Sequence, residues 1–363
     1  MTSFVFKTRT VGDKRNPMSM RIAVTGGAGF IGSALVRHLV LERGAEVCTI
    51  DKLTYSGSLD NLVDVADSAA HQFRQIDICD ASKLRSAIFD FAPDAIMHLA
   101  AETHVDRSID GPADFIRTNV VGTYQLLEVA REYAQTNGDS FRLLHVSTDE
   151  VYGSLGQTGL FDEDSPYRPT SPYSASKAGA DHLARAWFET YRLPVLVTNC
   201  SNNFGPYQFP EKLIPLTILK ALQGQPIPVY GDGLQVRDWL HVDDHVCGLV
   251  RVLEQGALGR TYNVGGNCEQ TNLTVVETIL RSIARRTGKS EGQLLGLIQF
   301  VVDRPGHDRR YAIDATRMRD ELGWIARTQF AQGIDDTVAW YMENLGWCGR
   351  RSNVYSGGRL GIK

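Results

Sequence analysis

TGGAGFIGS, residues 25–33, follows directly on the apolar run RIAVT (21–25) and opens the periodic stretch SALVRHLVLERG (33–44). A strand that ends in glycines and passes at once into a helix can cradle a phosphate. Backbone N–H groups at the helix N-terminus reach the anion only where no side chain intervenes. Two glycine spacings overlap: Gly27, Gly29 and Gly32 fit G-x-G-x-x-G, and Gly26, Gly29 and Gly32 fit G-x-x-G-x-x-G. A turn that merely packs strand on helix can share this spelling, so the surroundings decide. The next run, EVCTI (46–50), ends at Asp51. A carboxylate there accepts hydrogen bonds from an adenosine ribose and repels a 2′-phosphate, which favours NAD over NADP. Lys52 works mildly against that preference. Asp77 and Ile78, closing the run FRQID (73–77), fall where an adenine edge is met.

Outward from this loop, short apolar runs alternate with helical patterns: AIMHLA (95–100), NVVGTYQLLEVAREYA (119–134), RLLHVS (142–147) and VLVTN (195–199). That β-α-β rhythm predicts a Rossmann-type α/β fold with a doubly wound parallel sheet and its ligand at the carboxyl ends of the strands. After residue 200 glycine and proline become frequent, as in NNFGPYQFP and QGQPIPVYGDG. A smaller, partly interleaved C-terminal α/β lobe is expected there. The organisation predicted is a disordered extension over 1–19, with Met18 or Met20 as a start, and an NAD-binding domain over 20–203. A mainly substrate-binding lobe follows over 204–348, some of its segments returning to the sheet, and then a loose Gly- and Arg-rich tail over 349–363.

The chain of 363 residues carries a formal net charge of −4, so electrostatics give no reason to expect nucleic acid or anionic membrane as a partner. No apolar run approaches a membrane span in length. Six cysteines are scattered without a C-x-x-C pair, as in a reduced cytoplasmic protein. His241 and His245 stand four apart in HVDDH, but Val242 occupies the glutamate position of the helical zinc motif; a structural role is expected, and no metal.

Two further stretches carry chemistry. In HVSTDEVYG (145–153) an apolar run delivers Thr148, Asp149 and Glu150 consecutively. Neighbouring side chains on a strand point to opposite faces, so two acids serving one site require a turn. A plain helix N-cap with first-turn acids would look the same. In SPYSASKAGA (171–180), Tyr173 and Lys177 share a helix face. A phenol with a pKa near ~10 needs a neighbouring cation to act as a base at neutral pH. Coupled to the glycine loop, Y-x-x-x-K is the pattern of the extended short-chain dehydrogenase/reductases.

The stretches TGGAGFIGS, DKLTYSG, AAETHVDRSI, STDEVYG, YSASKAGAD, NNFGPYQFPEKLIP, YGDGLQVRDWLHVDDH and DRPGHDRRYAID, in that order, resemble the dTDP-glucose 4,6-dehydratase family over roughly residues 21–345. The resemblance implies bound NAD and a homodimer of deoxysugar biosynthesis. It implies that Tyr173 takes the sugar C4 hydroxyl proton as hydride leaves C4, with Lys177 beside it and Thr148 on the C4 oxygen. Glu150 then removes the C5 proton, protonated Asp149 assists departure of the C6 hydroxyl, and hydride returns to C6. Cofactor contacts implied are Gly26, Gly29, Phe30, Ile31, Gly32, Asp51, Lys52, Leu53, Thr54, Asp77, Ile78, Leu99, Ala100, Ala101, Thr103, Thr118 and Asn203, besides Tyr173 and Lys177. Many relatives have serine in place of Thr103. Substrate contacts implied are Thr103, Thr148, Asn202, Lys212, Leu213, Pro228, Tyr230, Arg237, Asn272, Arg304 and His307. A nucleotide-sugar 4-epimerase, a UDP-sugar dehydratase and a silent NAD-binding scaffold stay open, though an epimerase has no use for an acid pair at C5 and C6.

Overall fold

The computed structural model describes residues 20–137, 141–303 and 306–352. The expected extension 1–19 and positions 353–363 of the expected tail lie outside them. In chain order the strands are β1 (Arg21–Thr25), β2 (Glu46–Asp51), β3 (His71–Gln75), β4 (Ala95–His98), β5 (Arg142–Thr148), β6 (Val195–Cys200), β7 (Asn202–Phe204), β8 (Ile227–Tyr230), β9 (Val236–His241), β10 (Thr261–Val264), β11 (Glu269–Thr271) and β12 (Ile298–Val301).

Seven of them form one sheet in the order β10-β6-β5-β4-β1-β2-β3, every pairing parallel. The order reverses between β1 and β4, and a doubly wound sheet binds its ligand in the crevice at such a switch point. Parallel strands covered on both faces need apolar side chains on both. Ile22 and Val24 of β1 accordingly enter one core with Leu35 and Leu249, while Ala23 enters the other with Leu84 and Leu126. Each such large aliphatic side chain stabilises the fold by about 1.5–3 kcal/mol on burial.

The helices that position the site are α1 (Phe30–Arg37), α2 (Ala81–Phe91), α3 (Val105–Asp110), α4 (Pro112–Phe115), α5 (Thr123–Asn137), α6 (Pro172–Tyr191), α7 (Leu213–Leu222), α8 (Val242–Gln255) and α9 (Asn272–Thr287). The start of α6 is fixed by sequence: Pro172 stands in its first turn, and Ser171 and Ser174 cap each other reciprocally. Beyond β6 the chain builds a second lobe, with β11-β9-β7 and β12-β8 as small sheets. Its core gathers Ile218, Val229, Trp239, Ile279 and Val338. From within this half β10 returns to pair with β6, Thr261 opposite Val197.

Two expectations need adjustment. Strand β3 ends at Gln75, not Asp77; the chain turns there and the Asp77 carboxylate accepts the Cys79 N–H at 2.9 Å. The tail does not begin at Gly349, because the helix Leu345–Ser352 runs through it. Trp347 anchors that helix: its ring is buried in the second core, and its Nε1 donates to Asn61 Oδ1 at 2.9 Å. A Gly- and Arg-rich composition concealed this anchor.

The glycine loop is built for contact. Gly26 has φ +72°, and a Cβ there would lie 2.6 Å from the Ala100 backbone nitrogen. At Gly32 a Cβ would lie 2.1 Å from the Gly26 carbonyl oxygen. Gly32→Ala is therefore expected to cost at least about 2 kcal/mol through overpacking against backbone that cannot yield, measured as a lower denaturant midpoint at unchanged slope.

Candidate active site

A cleft of about 280 Å³ runs along the carboxyl ends of β1, β2, β4, β5 and β6. Gly26, Gly29 and Gly32 form its floor, which selects the G-x-x-G-x-x-G spacing; Gly27 instead packs against Thr49. Gly29 caps α1 without a side chain, leaving the helix N-terminus bare toward the cleft. Asp51 ends β2 nearly buried, accepting the Ala28 N–H at 3.0 Å and the Leu53 N–H at 2.8 Å. Burial raises its pKa, and the two backbone donors and Lys52 oppose that. Each carboxylate oxygen keeps acceptor capacity for a further donor. Lys52 Nζ donates to Thr118 Oγ1 at 3.0 Å and lies 3.6 Å from Glu102 Oε1.

At the other end of the cleft, the question raised by the adjacent acids has a geometric answer. Thr148 is the last residue of β5 and caps a single 3₁₀ turn, Asp149–Tyr152, its Oγ1 accepting the Glu150 N–H at 3.3 Å. Gly153 closes the turn at φ +86°, where a Cβ would lie 2.3 Å from the Arg168 carbonyl oxygen. The N-cap reading and the functional reading thus describe the same atoms. Thr148 and Glu150 line the cleft, and Asp149 sits behind them, 1 % exposed. Burial, then Glu150 and then Asp238, holds the Asp149 carboxyl well above the usual aspartate range, against the pull of Arg237. Its Oδ1 accepts a long bond from Thr148 Oγ1 (3.4 Å), and its buried Oδ2 has no partner among the described residues.

Tyr173 and Lys177 face this turn from α6, both buried and both on the cleft wall. Lys177 Nζ donates to the Val146 carbonyl at 2.9 Å. Burial, with Glu150 next, pushes the phenol of Tyr173 well above its ordinary pKa, while a hydrogen bond with Thr148 pulls it down. Within the protein alone, burial outweighs the acidifying effect expected of Lys177.

Of the residues expected around the cofactor, Phe30, Ile31, Thr54, Ile78, Leu99, Ala100, Ala101, Thr103, Thr118 and Asn203 line the cleft with those already described. Leu53 and Asp77 do not: Leu53 packs on the core at φ 58°, and Asp77 caps its own turn. Asn203 is held by His245, whose Nδ1 lies 2.9 Å from Asn203 Oδ1. Burial drives that histidine's pKa down to about 3, so the ring is neutral and Nδ1 donates. His241 caps α8 through the Asp243 N–H. These are structural tasks.

Of the residues expected around the substrate, Thr103, Thr148, Asn202 and Lys212 line the cleft, with Lys212 Nζ donating to the Thr103 carbonyl at 3.1 Å. Leu213, Pro228, Tyr230, Arg237, Asn272 and His307 lie off its wall, on the second lobe. Tyr230 OH donates to Asp106 Oδ2 at 3.3 Å and stands edge-on to His307, which pairs with Asp303. Arg237 stacks 4.3 Å over Tyr311 and donates to the Asp308 carbonyl at 3.0 Å. Arg304 lies outside the described residues. Sequence reading missed Ser147, Cys200, Ser201, Gln208, Phe209 and Glu211 on the cleft wall. Cys200 ends β6 and Ser147 is the last residue but one of β5, positions that could have flagged them. Glu211 precedes Lys212 and, 1 % exposed at its side chain, accepts from Arg107 Nε at 2.9 Å and Tyr55 OH at 3.0 Å.

A glycine-floored cleft at the switch point, closed by a Tyr-x-x-x-Lys helix, defines an extended short-chain dehydrogenase/reductase. Residues 23–337 match the family model described as GDP-mannose 4,6 dehydratase. The chain is 54% identical over 335 residues to the dTDP-glucose 4,6-dehydratase of Neisseria meningitidis serogroup B, covering 90% of this chain and 94% of that one. A dTDP-glucose 4,6-dehydratase structure from Streptomyces venezuelae with NAD bound superposes with TM-score 0.84 at 46% identity, over 90% of this chain and 98% of that one. A UDP-glucose 4-epimerase from Thermus thermophilus, in complex with NAD, superposes with TM-score 0.79 at 30% identity, over 90% and 100% of the two chains. The chain belongs to the GDP-mannose 4,6 dehydratase family and, within it, to the dTDP-glucose 4,6-dehydratases.

The state of Asp149 is open to a thermodynamic test. An unfolded aspartate ionises near about 3.9, whereas the folded protein keeps this proton to higher pH. Across that interval the folded state binds more protons than the unfolded one, so this residue's contribution to stability falls as pH rises. Asp149→Asn carries no such proton. Its stability relative to the parent is expected to rise between pH 5 and pH 8, read from paired denaturation curves.

Proposed function

We propose that the protein is an NAD-dependent dTDP-glucose 4,6-dehydratase, a hydro-lyase that converts dTDP-glucose to dTDP-4-keto-6-deoxyglucose. The cleft fits the dinucleotide: neither Gly26 nor Gly32 has room for a side chain, and Asp51 closes the ribose end. Gly26, Gly29, Gly32 and Asp51 would hold NAD there, and the bound cofactor would supply a hydride acceptor for sugar C4 and a hydride donor for C6. Tyr173 takes the C4 hydroxyl proton, Lys177 supplies fixed positive charge on the same helix face, and Thr148 orients the C4 oxygen. The resulting 4-ketone acidifies C5. Glu150 removes the C5 proton, and Asp149 protonates the C6 hydroxyl as it departs as water. Glu150 then returns a proton to C5. The proton gained by Tyr173 balances the one Asp149 gives up, so the cycle closes. Around the nucleotide diphosphate, Asn202 and Lys212 supply amide and cationic donors from the cleft wall, and Arg237, Asn272 and His307 add donors from the second lobe.

The observation that carries this reading is the capped turn that puts buried Asp149, its pKa raised, and cleft-facing Glu150 side by side against Tyr173. An epimerase acts at one carbon; this pair addresses two adjacent ones. Incubating the purified protein with dTDP-glucose in D₂O, without added NAD, is expected to give the 6-deoxy-4-keto product with deuterium at C5 by NMR. A galactose-configured product without deuterium would overturn the reading. Glu150→Gln is expected to slow turnover by about 10²–10⁴, the usual worth of a general base, with retention of bound NAD.

The cytoplasm suits the six free thiols, and no described helix is long and apolar enough to cross a membrane. A homodimer would use the face of α5 and α6, where Tyr124 and Tyr191 are exposed against the half-buried Trp187, with Ile116 and Val121 exposed in the segment leading into α5. Clustered exposed aromatics of this kind mark an interface. A Val121→Glu, Tyr124→Glu double substitution is expected to give a monomer by light scattering.

A further inference from the structure

Helix α6 carries its chemistry past the tyrosine and lysine. At four-residue spacing one side presents Tyr173, Lys177, Asp181 and Arg185, so that phenol, ammonium, carboxylate and guanidinium follow one another along it. Asp181 is 0 % exposed and accepts three hydrogen bonds, each of 2.9 Å: His145 Nε2 and Ser147 Oγ from β5, and the Tyr167 hydroxyl from the preceding loop. Tyr167 in turn accepts from Arg185 at 2.7 Å and from Asn199 Nδ2 at 3.0 Å. Ser147 and Tyr167 both donate to one oxygen, Oδ2, and the lowered pKa of the carboxyl keeps it an anion. Beside an anion, His145 carries its proton on Nε2 and donates it to Oδ1.

We propose that Asp181 is a positioning residue for the dehydratase reaction: the buried anion that keeps Lys177 an ammonium. This rests on the reading of Tyr173 and Lys177 given above. Lys177 is buried and donates to the Val146 carbonyl, a neutral acceptor, and an ammonium in such a place without a countercharge sheds its proton. The groups facing it from the packed elements do not supply that countercharge. From β4 and β5 come His98 and His145, both kept neutral by burial, with rings 5.3 Å apart. From β6 comes Cys200, whose thiol burial pushes up and so keeps protonated. Burial lowers the pKa of Lys177, and Asp181 is the first group opposing that. Asp181 itself faces His145, Ser147, Tyr152, Tyr167, Lys177 and Arg185, and its own pKa falls below the usual aspartate value because His145, Lys177 and Ser147 outweigh its burial.

The test uses the NAD-bound enzyme. Asp181→Asn keeps the shape and removes the charge. The alkaline limb of its kcat profile is expected to move down by about one pH unit or more, the usual reach of a buried charge neighbour, with KM changed less than about threefold and NAD retained. A profile that superimposes on the parent's after scaling, whatever the loss of activity or thermal stability, would assign Asp181 to folding alone and overturn the proposal. Wild-type protein labelled with ¹³C-lysine gives a second, activity-independent reading. The Lys177 Cε resonance, identified by its loss in Lys177→Met, is expected to stay in the ammonium position up to about pH 9, near the ordinary range of a lysine. Titration below about pH 8 would overturn the proposal even if Asp181→Asn fails to fold. A dehydratase inactive toward dTDP-glucose would instead fail at the D₂O experiment and leave this resonance untouched.

Discussion

The site depends on how closely three pieces of backbone approach one another at the switch point of the sheet. Gly26 lies against the peptide of Ala100 after β4, and Gly32 lies against the carbonyl of Gly26. Neither contact has room for one carbon atom. Because β1 and β4 are neighbours in the sheet, this approach brings the helix N-terminus of α1 and the end of β4 to one crevice. β5 is next in order, so its carboxyl end, with the acids, opens on the same crevice. The glycine loop, the acid turn and the tyrosine helix therefore share one cleft by topology, before any side chain is chosen.

Side chains then set the charge state at each end. Asp51 and Asp149 are both carboxyls with raised pKa, and burial is the leading cause in each. They differ in what opposes it. Asp51 has two backbone donors and a neighbouring lysine, an environment that supports the anion a ribose partner needs. Asp149 has Glu150 and Asp238 beside it and one free oxygen among the described residues, an environment that supports the acid. The same residue type thus serves as acceptor in one place and donor in the other.

How much of this was legible in the sequence follows the range of the interactions. The parallel sheet, the cofactor loop, Asp51 and the Tyr173–Lys177 pair are local patterns of spacing, and they were readable. Thr148 as a cap was readable too, since capping acts over two or three residues. Residues that reach the cleft through long loops were not. Glu211 meets Arg107 and Tyr55 across more than a hundred positions of chain, and no periodicity announces such a contact. The extent of the last helix was hidden for a related reason: Trp347 finds its partner at Asn61, near the opposite end of the sequence. Tyr230, Arg237 and His307 came from resemblance, and the structure sets them on the second lobe, off the cleft wall.

The return of β10 to the edge of β6 has a meaning for how such a protein can be recombined. The seventh strand of the nucleotide-binding sheet is encoded in the second half of the chain, after three strands of the other lobe. The last helix likewise pins itself to Asn61 and Asp60 of the first half. A cut near residue 203 would leave β6 as an unpaired edge and remove a wall from one core. The two lobes are therefore not modules. A new sugar specificity can be reached by substitutions and loop changes within one gene, but not by shuffling one half against a foreign partner, because the unit that folds is the whole chain.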